Sequence, residues 1–171
     1  MNQDPMKQAH SEAERLFREL LPGEGLAVRE EQLSLCHTML DALFQNKIAL
    51  CDAGVGIGKT YAYLAACILW RKHSRSAKPI AISTSSIALQ TAILKEYLPF
   101  LSQIFLENRL VKEPIRGIIR KSKERFVCDE RLRQRLAAVR DKQKNPAQRK
   151  ALDSLKRIFD LDAVPELSGF D

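Results

Sequence analysis

The sequence has no apolar run long enough to cross a bilayer, so no transmembrane helix is predicted. The longest candidate, residues 61–70, is too short and continues into Arg71-Lys72-His73. The first residues lack the basic start and apolar stretch of a signal peptide. We therefore expect a cytoplasmic protein that does not act in a membrane.

Cysteine is sparse, and its spacing is not that of a disulfide framework. No two of the four cysteines form a Cys-x-x-Cys pair, so we expect reduced thiols. Cys36 falls on the apolar face of a predicted helix, and Cys51 and Cys67 are predicted to lie in the core. Internal repeats and low-complexity tracts are also missing.

Acidic residues are too few to balance the basic ones, and the net charge is +7 over 171 residues. Hydrophobic residues make up 45 % of the chain, which is typical of a globular domain with a core. Residues 111–157 contain sixteen Lys and Arg against six Asp and Glu. Such a basic block is typical of a protein that binds a polyanion, although a solvated helical surface would carry the same charge.

Apolar periodicity predicts helices over residues 6–20, 29–45, 59–72 and 86–105. Leu21-Pro22-Gly23 is expected to end the first helix, and Pro99 is expected to break the last one. Short apolar runs predict buried strands at Lys47–Asp52, Pro79–Thr84 and Ile115–Arg120.

This alternation predicts an α/β fold, with a parallel sheet and crossover helices. Charged helices predicted over residues 129–141 and 145–160 depart from the alternation. We therefore expect an α/β part in residues 1–120 and the start of an added or inserted basic helical subdomain in residues 121–171.

The most specific motif is the glycine-rich stretch Ala53-Gly54-Val55-Gly56-Ile57-Gly58-Lys59-Thr60, between a predicted strand and a predicted helix. Its glycines permit positive φ, so successive N–H groups from Val55 onward can surround a phosphate. Lys59 is expected to reach the β- and γ-phosphates of ATP, and the Thr60 hydroxyl to bind Mg²⁺. Gly54 to Thr60 are therefore the predicted nucleotide contacts; the alternative is a glycine-rich turn with an incidental Lys-Thr.

Four stretches, in matching order, resemble motifs of the superfamily 2 DNA helicases of the DinG and XPD group. The loop has their Ala-x-x-Gly-x-Gly-Lys-Thr form, and Arg29-Glu30-Glu31-Gln32 looks like their adenine-reading Arg-x-x-Gln element. Residues 82–90 resemble the motif that touches the DNA backbone, which implies contacts from Ser83 and Thr84. Residues 120–128 resemble the segment with the first cysteine of their iron–sulfur cluster.

The resemblance implies a partial RecA-like ATPase domain that uses ATP and Mg²⁺ and acts on single-stranded DNA or DNA junctions. Arg29 and Gln32 would contact the adenine, although surface residues in a first helical turn would look the same. Ser85 or Ser86 is expected to cap the following helix. Cys128 would be one iron–sulfur ligand in a longer parent, although a lone cysteine is also typical of a core.

The same resemblance implies parts that this chain does not supply. No acidic box follows an apolar strand, and no second ATPase domain offers arginines, so we expect these beyond Asp171. A four-iron cluster takes four thiolates, and no cysteine follows Cys128, so we predict no assembled cluster in this chain. Weak nucleotide binding without unwinding is expected from these residues alone.

Two other functions fit the loop. One is another phosphate-loop ATPase or a kinase, for which Asp52 is the nearest carboxylate and is not suitably placed. The other is a non-catalytic nucleic-acid-binding adaptor with a vestigial loop, in which the basic helices carry the function.

Overall fold

The computed structural model describes residues 4–74, 76, 78–121 and 130–134. The chain divides into two units, Met1–Ile119 and Arg120–Asp171. In the second unit, residues 130–134 are helical, and Gln134 Nε2 donates to Glu130 Oε1 at 3.0 Å. The other predicted charged helix, over residues 145–160, lies outside the described residues. That the second unit begins an iron–sulfur subdomain stays a prediction.

The first unit starts with a continuous helix made of three parts. These are α1 (Pro5–Arg15), a π-helical turn π1 (Leu16–Leu20) and α2 (Leu21–Gly23). The Asp4 side chain accepts a hydrogen bond from the Met6 N–H at 3.0 Å, which caps the helix.

Three more helical stretches follow. Helix α3 is Glu30–Phe44 and α4 is Lys59–Ser74. The last stretch is continuous and comprises α5 (Ile87–Ala92), a second π-helical turn π2 (Ile93–Tyr97) and α6 (Leu98–Glu107). All four predicted helices of this unit are therefore present.

Each π-helical turn comes just before a proline. A proline in a helix lacks an N–H and clashes with the carbonyl four residues earlier. For Pro22 that residue is Arg18, inside π1, and for Pro99 it is Lys95, inside π2. The wider turn makes room for the proline ring, so the helix continues through Pro99 instead of breaking there.

The helices of the first unit pack on one another around a single core. α3 and α4 form the largest interface, α1 packs across both, and α6 joins through α4. Largest among the fully buried side chains are Phe105, Leu16, Leu40, Leu69, Leu101 and Cys36. Helix α4 is mostly buried, as its lack of polar residues predicts.

The predicted α/β fold is wrong for the described residues, which contain helices and no strand. Lys47–Asp52, Pro79–Thr84 and Ile115–Arg120 are irregular, and no main-chain hydrogen bond joins them to one another. The RecA-like sheet is therefore not observed in this part of the chain.

The reason lies in what a strand requires. A helix pairs its own main-chain groups, whereas a strand needs a neighbouring strand to pair with. Ile48 and Leu50, predicted to be buried in a sheet, are 92 % and 97 % exposed. No helix in the described ranges is long and apolar enough to span a bilayer.

Candidate nucleotide-binding site

The glycine-rich loop connects the irregular segment after α3 to the start of α4. Residues 53–58 are not helical, and Lys59 and Thr60 are the first two residues of α4. Gly56 and Gly58 have φ of 86° and 81°, the left-handed region that favours glycine. The first N–H groups of a helix have no partner within it, so an anion is favoured at this end of α4.

Lys59 is directed at the loop that precedes it. Its Nζ donates to the carbonyl oxygens of Ala53 at 2.9 Å and of Gly54 at 2.8 Å. The ammonium group thus lies on the carbonyl side of the loop. Among the other predicted contacts, Val55 is fully exposed in the turn and Ile57 is half-buried.

Two side chains near the start of α3 contact the same loop. Arg29 is the residue just before α3, and Gln32 is in its first turn. Arg29 Nη1 donates to the carbonyl oxygen of Gly56, and Gln32 Nε2 donates to that of Gly58 at 2.7 Å. Gln32 is only 6 % exposed. The structure therefore brings together two sequence elements that are more than twenty residues apart.

The closeness of Gln32 leaves no room for a side chain at Gly58. A Cβ built on Gly58 would lie 2.0 Å from Gln32 Nε2 and 2.9 Å from its Cδ. The positive φ of Gly58 adds a second reason for glycine at this position. Gly56, in contrast, has open space around a built Cβ, and its φ alone favours glycine.

An ion-pair network that the sequence did not suggest holds the start of α3. Arg18 Nη1 and Nη2 donate to the two carboxylate oxygens of Glu30, each at 2.8 Å, and its Nε donates to Glu14 at 2.7 Å. Glu30 follows Arg29 directly, so the fork fixes the α3 turn that carries Arg29 toward the loop. Of the two ion pairs, only Glu14–Arg18 could have been predicted from the sequence, because its residues have i, i+4 spacing.

Thr60, the predicted Mg²⁺ ligand, has a neighbour one turn along α4. Burial raises the pKa of the Tyr63 phenol, and a hydrogen bond with Thr60 partly offsets that rise. Tyr61, which directly follows Thr60, packs edge-on against Tyr97, with ring centroids 5.2 Å apart. This contact joins the first turn of α4 to π2.

Ser83 and Thr84, the predicted DNA contacts, lie before α5. Thr84 Oγ1 accepts from the Ser86 N–H at 3.2 Å, and Ser86 Oγ caps the helix by accepting from the Leu89 N–H at 3.2 Å. Ser83 is exposed. Among the described residues, no hydrogen bond joins Ser83 or Thr84 to the loop, so their contact with DNA stays a prediction.

Of the three cysteines in the described residues, Cys36 is buried as predicted, Cys67 is only partly buried, and Cys51 is exposed. Cys36 is fully buried, and burial raises the pKa of its thiol; burial also raises the pKa of Cys67, to about 11. Cys51, predicted in the core, is exposed, because its segment pairs with no other segment of the described residues. Cys128 lies outside the described residues. In the described ranges, no group of three or more His, Cys, Asp or Glu could hold a metal ion.

The sequence is similar to part of much longer proteins. Over 115 residues, 67 % of this chain, it is 34 % identical to the 3'-5' exonuclease DinG of Bacillus subtilis (strain 168). Over 112 residues it is 30 % identical to the 3'-5' exonuclease DinG of Staphylococcus aureus (strain USA300). The matched stretch spans only 11 % and 12 % of those proteins.

No family model matches the chain, and no solved structure matches it. The resemblance to DinG proteins is nevertheless confirmed as a distant homology over about two thirds of the chain.

Proposed function

Starting from this homology to DinG proteins, we propose that the chain is the ATP-binding portion of an ATP-dependent DNA helicase. In the whole protein, ATP hydrolysis would drive movement along single-stranded DNA or at DNA junctions. The curated relatives are named 3'-5' exonucleases, and that activity is theirs. For this chain the proposal concerns the binding of ATP, in a protein that we expect in the cytoplasm.

One observation carries the proposal: the glycine-rich loop has several side-chain donors on its carbonyl oxygens. Lys59 contacts Ala53 and Gly54, while Arg29 and Gln32 contact Gly56 and Gly58. A glycine turn with an incidental Lys-Thr would not require such convergence. Two cations and an amide around a loop with positive φ are the components of a triphosphate site.

The roles of the individual residues follow from this arrangement. Lys59 would exchange its two carbonyl partners for the β- and γ-phosphates of ATP, because a charged acceptor binds an ammonium more strongly than a neutral one. The loop N–H groups and the start of α4 would hold the same phosphates. The Thr60 hydroxyl would hold Mg²⁺, which neutralises phosphate charge when bound.

Contacts with DNA form a second part of the proposal. Ser83 and Thr84 would contact backbone phosphates, together with lysines and arginines of residues 111–157. Contacts of this kind give little sequence preference and a strong dependence on salt. An iron–sulfur cluster that uses Cys128 would belong only to a longer parent.

Nucleotide binding by this chain tests the proposal. A fluorescent ATP analogue is titrated with Mg²⁺ against the wild type, Lys59→Ala and the control Arg71→Ala. Arg71 lies exposed near the other end of α4, so its loss removes the same charge away from the loop. We expect weak binding by the wild type and by Arg71→Ala, and a loss of about ten- to hundredfold in Lys59→Ala.

If the wild type does not bind the analogue at millimolar concentration, the proposed function is wrong. The same conclusion follows if Lys59→Ala binds as well as the wild type. The adaptor with a vestigial loop would then be the better assignment.

A further inference from the structure

Gln90 lies at the end of the segment 82–90, and the proposed function gives it no role. Its Nε2 donates to the carbonyl oxygen of Thr84 at 3.2 Å, so it reaches back from α5 to a predicted DNA contact. We infer that Gln90 is a positioning residue that holds Thr84 in the orientation needed to contact a DNA backbone phosphate. This inference rests on the DNA-contacting part of the proposed function, because it concerns the same segment.

The chain around Ser83 and Thr84 has little else to hold it. Residues 79–84 form no strand, and no main-chain hydrogen bond in the described part of the chain joins them to another segment. The side chain of Ile82 is 42 % exposed, and α5 has no buried residue. The hydrogen bonds that the structure shows at Thr84 come from the residue that caps α5 and from Gln90.

Thr84 is held through both its side chain and its main chain. The Ser86 N–H donates to Thr84 Oγ1 at 3.2 Å, while Gln90 donates to the Thr84 carbonyl. A hydroxyl that accepts a hydrogen bond still has its own proton to donate. Since the Ser86 N–H occupies its accepting side, the Thr84 hydroxyl would donate to a phosphate oxygen, which is the contact proposed for it.

The other half of the Gln90 amide argues against a role in stability alone. Gln90 Oε1 is buried and has no hydrogen-bond partner among the described residues. An acceptor buried without a partner lowers stability, whereas replacing the whole amide by an apolar group of similar shape removes that cost. A glutamine at this position is therefore poorly explained by folding and better explained by the donor that it places on Thr84.

The test measures the affinity of the chain for a fluorescein-labelled oligothymidylate by fluorescence anisotropy, over a series of salt concentrations. Gln90→Met removes the donor and the unpartnered acceptor while keeping the length of the side chain. The control is Gln103→Met, the same substitution at an exposed glutamine on α6, where the amide donates to Glu107 at 2.9 Å. Circular dichroism and thermal unfolding are recorded for each variant.

We expect Gln90→Met to weaken DNA binding by about three- to tenfold at each salt concentration, which is the effect of losing one positioned hydrogen bond. The slope of log affinity against log salt concentration should stay that of the wild type, because no charge that pairs with phosphate is removed. The unfolding temperature should not fall. Gln103→Met should resemble the wild type in both measurements.

A double-mutant cycle shows whether Gln90 acts through Thr84. Thr84→Val removes the hydroxyl and keeps the shape of the side chain, so it should also weaken DNA binding. In the Thr84→Val background, Gln90→Met should cost clearly less than in the wild type, since the group that it positions is gone. Additive losses would overturn the inference, because they would mean that the two residues act independently.

Failure of this inference is distinct from failure of the proposed function. If the wild type binds the oligothymidylate and Gln90→Met binds it equally well, the inference is overturned and the proposed DNA contacts stand. A loss of affinity that comes with a lower unfolding temperature also overturns it, because Gln90 would then only support the fold. If the wild type does not bind the oligothymidylate even at low salt, the DNA part of the proposed function is wrong, and this inference is wrong with it.

Discussion

Similar apolar side chains are buried in the helices but exposed in the segments between them. Leu40 in α3 is fully buried, whereas Leu50, ten residues later, is 97 % exposed. Ile104 in α6 is 3 % exposed and Ile118 is 82 % exposed. The two regions have comparable hydrophobicity in sequence but not in structure.

The difference shows which interactions are sufficient to bury an apolar segment in the first unit. Helices satisfy their own main-chain groups and need only a shared apolar face, which α1, α3, α4 and α6 provide. The segments at 47–52, 79–84 and 115–120 need main-chain partners that the described residues do not supply. Hydrophobicity alone therefore does not decide burial in this chain.

The largest expected effect comes from truncating one leucine in each region. Leu40→Ala should lower the free energy of unfolding by about 2–5 kcal/mol, because it leaves a cavity in a closed core. Leu50→Ala should change it by less than about 0.5 kcal/mol, because the side chain has no packing to lose. Urea denaturation followed by circular dichroism measures both. Equal losses would mean that Leu50 is buried in solution.

A smaller effect is expected where one irregular segment is tied to a helix. Ser102 is 6 % exposed, and its Oγ accepts from the Ile115 N–H at 2.9 Å. Ser102→Ala leaves that N–H without its partner and should cost about 1–2 kcal/mol in the same assay. Ser83→Ala, at an exposed serine, is the matched control and should be neutral. A neutral Ser102→Ala would show that the segment near Ile115 detaches without cost.

The smallest effect concerns pH and lies within the helical region. His37 Nε2 is buried without a hydrogen bond, 3.7 Å from Glu14 Oε1, and the His37 ring packs edge-on against His10. Burial, and then the nearby His10, lower the pKa of His37 below its ordinary value of 6.5; Arg18 acts in the same direction, and Glu14 and Asp41 oppose it.

A lowered histidine pKa means that the folded state takes up the proton less readily than the unfolded state. Stability should therefore be unaffected by His37 above about pH 6.5 and should fall as the pH drops below that value. Denaturation at pH 7.5, 6.5 and 5.5 should show a shallower decline for His37→Gln than for the wild type. An identical decline would show that His37 ionises freely in the fold.

The sequence allowed the helices and the loop to be predicted, because their signals are local. The apolar spacing of Leu33, Cys36 and Leu40 identifies α3, and the three glycines with Lys59 identify the loop. Strands were predicted wrongly because an apolar run does not contain its own pairing partner. The wrong prediction that Cys51 lies in the core follows from that error, since Cys51 is exposed.

The contacts between distant residues could not be derived from spacing. Sequence placed Arg29 and Gln32 at a nucleotide through resemblance only, and it gave no reason for their donors to lie on Gly56 and Gly58. The fork from Arg18 to Glu30 depends on how α1 crosses α3, which is a property of packing. Pro22 and Pro99 were recognised as interruptions, but the π-helical turns that accommodate them were not predicted.

The turn π1 sets the rotational phase between the two ends of the first helix. One residue of an α-helix corresponds to a rotation of about 100° around its axis. Because π1 holds one residue more than an α-helical turn, deleting a residue within Leu16–Leu20 would return it to α-helix and leave Ala9 and Ala13, now fully buried, on the same face, whereas inserting a residue would rotate Pro5–Arg15 by about that angle. The turn can therefore lose its extra residue more readily than it can gain another.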